Sequence, residues 1–430
     1  MRTPAIVLLS ALSCAAQTRT LTLKEAVNLA LEQNPDLVIA RLDQQHARAQ
    51  VNIARDPFSP KVFAGSGAAY TNGFPISIDG QAPSIVQART SMSLFDLPQH
   101  YLVAEAREQQ RGAGLDIEAK RQEVAYQVAS LFLDVQHVSL SLAAAQREEE
   151  NLARVQELVN ARVQEGRGLT HELKQAQFSV LQAKQRVETL QLDLLNAESS
   201  LAVTLGLGVD ERVRAAEEEL PVLAAPSPAA PSPEDRVIEQ TLAGSPEIKR
   251  LESNLQAKLL EVKSYKAQRL PKVDLVAQYA MLAKYNNFRE FYPVFERNNG
   301  EIGASFSVPV LAGRAAKAYV SQSETDAAKI RTEIERTRAR IASDLRRAYQ
   351  DQRRADTSRD LARADLDLAS EQVSIDQAQV TEGRLAAAKA EQDRAVENEK
   401  WLAFYIAQTT AQRARLNILR QTGALIAALQ

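Results

Sequence analysis

The sequence predicts a mainly α-helical protein in which one unit of helices and a β-hairpin is written twice. Three observations carry this prediction: an internal duplication, two very long stretches free of helix breakers, and short segments in which apolar and polar residues alternate. The duplication is clearest at two Glu-Gly-Arg turns, at residues 165–167 and 382–384. The sequences around these turns align without a gap over about 75 residues. The turns are 382 − 165 = 217 residues apart and the upstream motifs 211 apart, so each unit is about 210 residues long.

The composition favours long helices over ordinary globular domains. The chain has 430 residues, of which 25% are charged and 5% aromatic, with 16 Gly and 16 Pro. This profile is typical of long helices and coiled coils. The net charge is −2 with acids and bases interspersed, so no basic face is available to bind nucleic acid. With one cysteine, Cys14, a single chain cannot form a disulfide framework or a cysteine metal site.

The N-terminal segment 1–16 has the pattern of a secretory signal peptide. Arg2 precedes an apolar run, and small residues follow at positions 14–16. A buried helix start is the alternative interpretation. Lipidation of Cys14 is a further alternative, although the residues before it fit the usual lipoprotein pattern poorly. No later segment has enough consecutive apolar residues to predict a transmembrane helix.

Capping signals place the short helices at the start of each copy. Thr22 and Glu25 form a capping-box pattern for a helix that ends near Gln33. Asn34 then caps a second helix with Pro35 in its first turn, and this helix runs to about Arg55. Ser245, Pro246 and Glu247 take the same positions in the second copy.

Each copy then contains one predicted β-hairpin, at about 62–95 and about 273–310. Apolar and polar residues alternate at 86–94, at 273–281 and at 302–308, which predicts strands with one apolar face. Aromatic residues concentrate in these regions, five of them in the loop 285–295. A small sandwich core and a membrane barrel with an aromatic girdle are both compatible with this pattern.

A helical hairpin follows each pair of strands, at 98–205 and 314–422. Spacings of four and three residues along the first long helix predict a coiled-coil seam, formed by Val124, Val128, Leu131, Val135, Val138 and Leu142. About 68 residues would span roughly 100 Å. A proline-rich segment, 221–233, separates the first copy (17–220) from the second (234–430) and predicts an extended linker.

No catalytic, cofactor or metal site is predicted. The four histidines are scattered, and no nucleophile–base arrangement is present. The glycines at 65 and 67 begin like a dinucleotide loop, but the third glycine is missing and the segment lies in a strand. The sequence therefore predicts a protein that is not an enzyme.

In this order and duplication, the motifs resemble those of the TolC-type outer-membrane efflux protein family. The resemblance covers roughly residues 20–425. It is carried by residues 29–35 (LALEQNP), 60–62 (PKV), 165–167 and 382–384 (EGR), 309–314 (PVLAGR) and 419–423 (LRQTG). It implies a homotrimer with a 12-strand barrel in the outer membrane of a Gram-negative-type bacterium and a long periplasmic α-barrel.

The resemblance also implies partners. The channel would take substrates from an inner-membrane pump, of the RND or ABC type, through a periplasmic adaptor (membrane fusion protein), for efflux or type I secretion. It further implies contact with two other copies of the chain, in a homotrimer, and with outer-membrane lipid. No nucleic acid partner is expected. The alternative is a periplasmic coiled-coil adaptor or scaffold, although adaptors usually carry one helical hairpin. The cargo, the pump type and the gating mechanism stay open.

The resemblance finally implies two groups of site residues. The turns would face the adaptor, through Glu165, Gly166, Arg167, Glu382, Gly383 and Arg384. In several family members, carboxylates lie about two helical turns beyond the second-copy glycine, at the closed periplasmic end. This chain has Lys389 and Gln392 there, and Glu172 and Gln175 at the equivalent first-copy positions. Three lysines near one axis would repel unless paired, and the carboxylates considered as partners are Glu391, Asp393 and Glu172.

Overall fold

A computed structural model describes residues 18–67, 84–208, 211–216, 233–282, 296–310, 314–382 and 387–429. The predicted signal segment with Cys14, most of the predicted linker and the aromatic loop 285–295 lie outside these residues. Gly383 and Arg384 of the second turn also lie outside them. The predictions made for these segments stay predictions.

The chain enters through a short strand and two helices whose ends match the predicted caps. Strand β1 (Thr18–Leu21) leads into α1 (Leu23–Gln33), where the Thr22 and Glu25 capping box is confirmed. Helix α2 (Pro35–Arg55) begins after Asn34, whose side-chain oxygen accepts the backbone N–H of Asp36 at 2.9 Å. Local sequence alone sets these boundaries because each cap satisfies N–H groups that the helix leaves free.

The first copy continues with two strands and two long helices. Strands β2 (Lys61–Gly65) and β3 (Ser84–Phe95) precede α3 (Leu97–Gln164) and α4 (Thr170–Thr204). A short strand, β4 (Arg212–Ala215), follows α4. Helix α3 is continuous over 68 residues, as the stretch without internal proline predicts.

The second copy repeats this order. Helices α5 (Pro233–Gly244) and α6 (Pro246–Ala267) precede β5 (Lys272–Leu282) and β6 (Asn298–Ser307). Helices α7 (Arg314–Thr381), α8 (Ala387–Thr422) and α9 (Leu425–Leu429) follow. Pro233 was assigned to the linker, but it opens α5, because proline fits the first turn of a helix, where its missing N–H costs nothing.

Four strands form one antiparallel sheet in the order β2-β3-β5-β6. The central pair joins the two copies, with Thr90 opposite Ala277 in the register. Alternate cross-strand rows differ in polarity. One face carries the rows Val62–Thr90–Ala277–Ile302 and Met92–Leu275–Ala304, whereas the other carries Phe63–Arg89–Gln278–Glu301 and Ser93–Asp274–Ser305. The predicted strands with one apolar face are therefore present.

A second, two-stranded sheet pairs β1 with β4 in parallel. The sequence analysis did not predict it. Each strand has four residues, too few to show a period, and the two strands are distant in sequence. Val213 of β4 is fully buried and belongs to the main hydrophobic core. The pairing of β1 with β4 therefore depends on tertiary contacts, which no local sequence pattern predicts.

The described residues form two compact units, each containing segments of both copies. The first unit comprises Met1–Ile39, Ile117–Ser245 and Arg338–Gln430. Its main core includes Val124, Val128 and Val135 from the predicted seam of α3, packed with residues of α1, α4, α8 and α9. A smaller cluster joins Ile238 to Leu345, Tyr349 and Ile418.

The second unit comprises Ala40–Asp116 and Pro246–Thr337 and contains the four-stranded sheet. Its helices are joined partly by buried polar contacts. Ser253 and Ser264 of α6 donate hydrogen bonds to the carbonyl oxygens of Glu108 and Pro98, at 2.7 and 3.0 Å. The rings of Tyr265 and Tyr319 stack with their centroids 5.2 Å apart. Small serines allow α6 to lie close to α3 while their hydroxyl groups stay hydrogen-bonded.

One helix among the described residues, Leu97–Gln164, contains an 18-residue window with a mean hydropathy of 1.4, apolar enough by length and composition to cross a membrane. The sequence analysis had predicted no such segment. This is weak evidence for a membrane span, because core helices pass the same test. The apolar residues Val124, Val128 and Phe132 of this helix are buried in the core of the first unit.

Candidate functional site

The first Glu-Gly-Arg turn closes α3 with a Schellman motif. Gly166 has a φ of 71°. The N–H of Arg167 bonds to the carbonyl of Arg162 at 2.9 Å, and that of Gly166 to Val163 at 3.0 Å. This pair of bonds satisfies carbonyl groups at the helix end and requires a left-handed residue, for which glycine has no steric penalty.

The same turn presents a charged surface. Arg167 lies 3.5 Å from Glu165, and both side chains are exposed. Beyond the turn, the N–H of Leu169 points to the Glu172 carboxylate at 3.4 Å. A carboxylate in the first turn of α4 is favoured by the partial positive charge of the helix N-terminus. Glu172 therefore has a local structural role, in addition to the position predicted for it at the pore end.

The second turn is described up to Glu382, whose N–H bonds to Ala378 at 3.1 Å. Gly383 and Arg384 lie outside the described residues. On the far side, Lys389 occupies the first turn of α8, where a cation is disfavoured by the helix dipole. The structure compensates this charge within the helix, because Lys389 Nζ lies 2.7 Å from Asp393 Oδ1.

Of the three carboxylates considered as partners for Lys389, the structure selects Asp393. Glu391 instead pairs with Arg394 at 2.7 Å. The Lys389 side chain is 53% exposed, and Gln392 is also exposed. Glu172 and Gln175 are exposed on α4. The role of these four residues at a constriction stays a prediction.

Asp376 belongs to the same region and was missed by the sequence analysis. It lies on α7, is 4% exposed, and accepts a hydrogen bond from Gln372 at 2.8 Å. The hydrogen bond from Lys389, followed by the neighbouring Asp376, lowers the pKa of Asp393 on α8. An aspartate three residues after the buried Val373 is the signal that could have revealed this group, because three-residue spacing places both on one helix face.

The sheet and two helices expose apolar surface. On the apolar face of the sheet, Val62 and Phe306 are exposed and Ile302 is 79% exposed. Helix α7 exposes Leu361, Leu368 and Ile375, which are seven residues apart. Helix α4 exposes Phe178, Leu181, Leu192 and Leu195. Exposed apolar patches of this kind mark contact with protein or lipid.

The described residues contain no group of three or more His, Cys, Asp or Glu side chains arranged to hold a metal ion. His137 is half-buried in the first unit, where burial lowers its pKa. His100 instead stacks on Phe58, with ring centroids 4.6 Å apart. His137 and His100 therefore lie in different surroundings, one half-buried and one stacked on an aromatic ring.

A sheet with one exposed apolar face occurs in this chain together with two long helical hairpins. Comparison with known proteins relates part of the chain to a family. Residues 26–207 match the family model for outer membrane efflux protein. The matched region contains the first hairpin and its Glu-Gly-Arg turn.

A curated relative and two solved structures show the extent of the similarity. The chain is 25% identical to Protein CyaE of Bordetella pertussis in an alignment of 327 residues, which covers 74% of this chain and 66%, just under two thirds, of that protein. A solved structure of CusC has a TM-score of 0.77 at 14% identity, covering 93% of this chain and 92% of that one. The Campylobacter jejuni CmeC outer membrane channel has a TM-score of 0.76 at 14% identity, covering 99% and 94%.

These comparisons decide between the two interpretations of the sequence. The solved structures share the fold of this chain over most of its length, covering 93% and 99% of it. The membrane-barrel interpretation of the strands is therefore favoured over a sandwich core. The adaptor or scaffold alternative is not favoured. The family is one of channels, not of enzymes.

Proposed function

We propose that three copies of this chain close into a channel through the outer membrane. One observation carries the proposal: the four-stranded sheet has an exposed apolar face and two edges, β2 and β6, each with one strand partner among the described residues. A membrane tolerates no unpaired strand edge. Three sheets of four strands give a closed, even-numbered barrel of 12 strands.

The two faces of the sheet support this geometry. The rows containing Val62, Ile302 and Leu275 would meet lipid, and the rows containing Arg89 and Glu301 would face a water-filled pore. Strands β3, β5 and β6 have 12, 11 and 10 residues, close to the roughly 9–11 that a tilted membrane strand needs. The barrel would then conduct polar substrates.

The exposed seams of the helices support assembly of several copies. Leu361, Leu368 and Ile375 repeat every seven residues on α7, as in the seam of a coiled coil. Covering such leucines on a neighbouring copy removes apolar area from water, at about 25 cal/mol per Å². The exposed apolar residues of α4 offer a matching surface on the next copy.

Crosslinking between strand edges tests closure. Val62 on β2 and Ile302 on β6 lie in one cross-strand row, three strand spacings apart within a chain, or about 14 Å. A disulfide needs Cα atoms within about 7 Å. The double variant Val62→Cys, Ile302→Cys should therefore crosslink only between chains and yield a covalent trimer in the outer-membrane fraction.

The single variants Val62→Cys and Ile302→Cys are the matched controls and should give no trimer. A double variant that stays monomeric under oxidation, in a chain recovered from the soluble periplasm, would contradict the proposal. Membrane fractionation and crosslinking must agree, because a trimer outside the membrane would argue for a soluble scaffold.

We propose further that the turns bind a periplasmic adaptor, which couples the channel to an inner-membrane pump. The exposed Glu165 and Arg167 beside Gly166 support a docking role for this turn. Gly383→Val should lower export while the amount of trimer in the membrane stays nearly unchanged. Loss of the trimer in this variant would mean that the turn serves folding only.

A further inference from the structure

A groove of about 480 Å³ lies between α6 and α7, where both helices join the sheet. It is lined by residues of 256–266 on α6 and of 324–331 on α7. Helix α6 ends at Ala267, shortly before β5, and α7 begins shortly after β6. Lys272 of β5 stands opposite Ser307 of β6 in the register, so both helices meet the same end of the sheet. The groove and the sheet belong to the second compact unit.

The floor of the groove is apolar. Leu259, Leu260 and Val262 of α6 line it. Val262 is buried, whereas the two leucines are partly exposed. Burying such apolar surface against methylene groups removes both from water, which is favourable. The floor therefore suits the apolar part of an amphipathic ligand.

The rim of the groove is basic. Lys263 and Lys266 of α6 and Arg331 of α7 line it and are exposed. Lys266 Nζ lies 2.7 Å from Oε1 of Glu324, which supplies the carboxylate of the groove. Three cations and one carboxylate among the described lining residues leave a net charge of +2. Ammonium and guanidinium groups form strong, charge-assisted hydrogen bonds with phosphate oxygens.

The excess positive charge is confined to the second copy. Asn52 stands 211 residues before Lys263, and Gly114 stands 217 residues before Arg331. These are the equivalent positions of the first copy, and both are uncharged. The fold that the two copies share therefore does not require the cations at Lys263 and Arg331.

The surroundings of the groove are typical of a membrane–water boundary. The rings of Tyr265 and Tyr319 stack between the same two helices, and tyrosine is enriched at this boundary. Leu270 and Val310, beside the ends of β5 and β6, are 44% and 91% exposed. Lys263 lies four residues before the end of α6, or about 6 Å along the helix axis. A lysine at this level can extend its ammonium group to the headgroups.

We propose that this groove binds the headgroup of an anionic phospholipid, such as phosphatidylglycerol, from the periplasmic leaflet of the outer membrane. Lys263 and Arg331 contact the phosphate diester, and the leucines of the floor contact the glycerol and the first methylene groups. The bound lipid fixes the depth of the sheet in the membrane. The proposal rests on the proposed function, because the sheet must lie in lipid for the groove to meet a headgroup.

Native mass spectrometry of the purified full-length protein in detergent tests the binding. The protein is titrated with dioctanoyl phosphatidylglycerol and, separately, with dioctanoyl phosphatidylcholine. Both lipids carry a phosphate, but the choline ammonium cancels its charge. Phosphatidylglycerol should bind about tenfold more tightly, because two cations of the groove have no counter-charge within it.

The double variant Lys263→Gln, Arg331→Gln should reduce the affinity for phosphatidylglycerol by about tenfold, to that of phosphatidylcholine. The matched control is Lys249→Gln, Lys329→Gln. It removes two exposed cations from the same helices at positions that do not line the groove. This control should keep the preference for phosphatidylglycerol.

Glu324→Gln is a second test in the opposite direction. It removes the carboxylate and frees Lys266 for the lipid phosphate. The affinity for phosphatidylglycerol should then rise by about threefold or more. A misfolded variant could not produce this gain, so the result does not depend on how the double variant folds.

Three results would overturn the proposal: equal affinity for the two lipids, an equal loss of affinity in the control and in the groove variant, or displacement of phosphatidylglycerol by millimolar inorganic phosphate. The last result would mean a site for free anions. Binding in detergent can be measured on a monomer or on a trimer. Its failure therefore leaves the crosslinking test of the channel unaffected, whereas recovery of the chain from the soluble periplasm would contradict the proposed function itself.

Discussion

At the scale of single residues, three glycines end helices in the same left-handed conformation but in different surroundings. Gly166, Gly206 and Gly423 have φ values of 71°, 79° and 73°. A Cβ atom on Gly206 would lie 2.6 Å from the carbonyl oxygen of Gln33, whereas one on Gly423 would meet nothing within 4 Å. Gly206 therefore serves both the turn and the close packing of α4 against the end of α1.

Alanine substitutions separate these two contributions. Gly423→Ala should lower the free energy of unfolding by about 1 kcal/mol, the cost of positive φ alone. Gly206→Ala should cost about 2–4 kcal/mol, because the Gln33 backbone must also move. Thermal unfolding followed by circular dichroism measures both. Equal losses in the two variants would show that the contact with Gln33 relaxes freely.

Glu105 is a second residue whose surroundings matter more than its type. It lies on α3 and is half-buried beside Glu261 and Lys258, which are 2.5 Å apart on α6. Burial, then the nearby Glu261 carboxylate, raises its pKa to about 7, against the opposing effect of Lys258. The folded protein thus holds a proton on Glu105 that the unfolded chain releases from about pH 4.5.

The sign of the resulting pH dependence follows from linkage. Between about pH 4.5 and pH 7 the folded state binds more protons at Glu105, so stability falls as the pH rises through this window. Glu105→Gln should raise the melting temperature relative to the unmodified chain at pH 8 and leave it nearly unchanged at pH 4.5. Glu118→Gln, at an exposed site on the same helix, is the control. A stabilisation independent of pH would exclude titration of Glu105 as its cause.

At the scale of elements, helix α7 has two apolar faces with different partners. Leu366 is 2% exposed and packs within its own chain, whereas Leu368, two residues on, is 67% exposed. A helix rotates by about 100° per residue, so these leucines lie on opposite sides. We expect the side with Leu366 to stabilise the folded chain and the side with Leu368 to stabilise the proposed trimer.

Substitutions at these two leucines test the assignment. Leu366→Ala should reduce the stability of the folded chain by about 2–5 kcal/mol, because it leaves a cavity in the core. Leu368→Asp should leave the helix content unchanged but abolish the trimer, because a carboxylate would be buried at the interface. Circular dichroism and native gel electrophoresis in detergent separate the two effects. A Leu368→Asp chain that still forms trimers would place this seam outside the interface.

At the scale of the whole molecule, the charge at the predicted pore entrance differs from the carboxylate ring that the family resemblance implies. Lys389 stands at a position where that resemblance implies an acid, and its charge is balanced by Asp393. If three such pairs surround the axis of the proposed trimer, the entrance carries little net charge. The pore should then select cations less strongly than a ring of carboxylates would.

Lys389→Asp should shift the selectivity of the pore toward cations, because each subunit exchanges a positive for a negative charge. Reversal potentials across a planar bilayer under a salt gradient measure this shift. Lys400→Asp makes the same charge change farther along α8, where Lys400 pairs with Asp365, and should have a smaller effect. An unchanged reversal potential in Lys389→Asp would place the residue away from the constriction.

The sequence by itself determined the elements and their repetition. The capping groups at Thr22 and Asn34, the glycine turn at Gly166 and the uninterrupted length of α3 follow from interactions within a few residues. The polar and apolar faces of the strands follow from alternation alone. These features can be predicted from the sequence because backbone geometry and residues close in sequence determine them.

The tertiary structure decided what these elements place together. The pairing of β1 with β4 and the close approach of Gly206 to Gln33 join residues that are far apart in sequence. These contacts have no sequence signature, because the distance between two side chains on different elements depends on how the helices and strands pack.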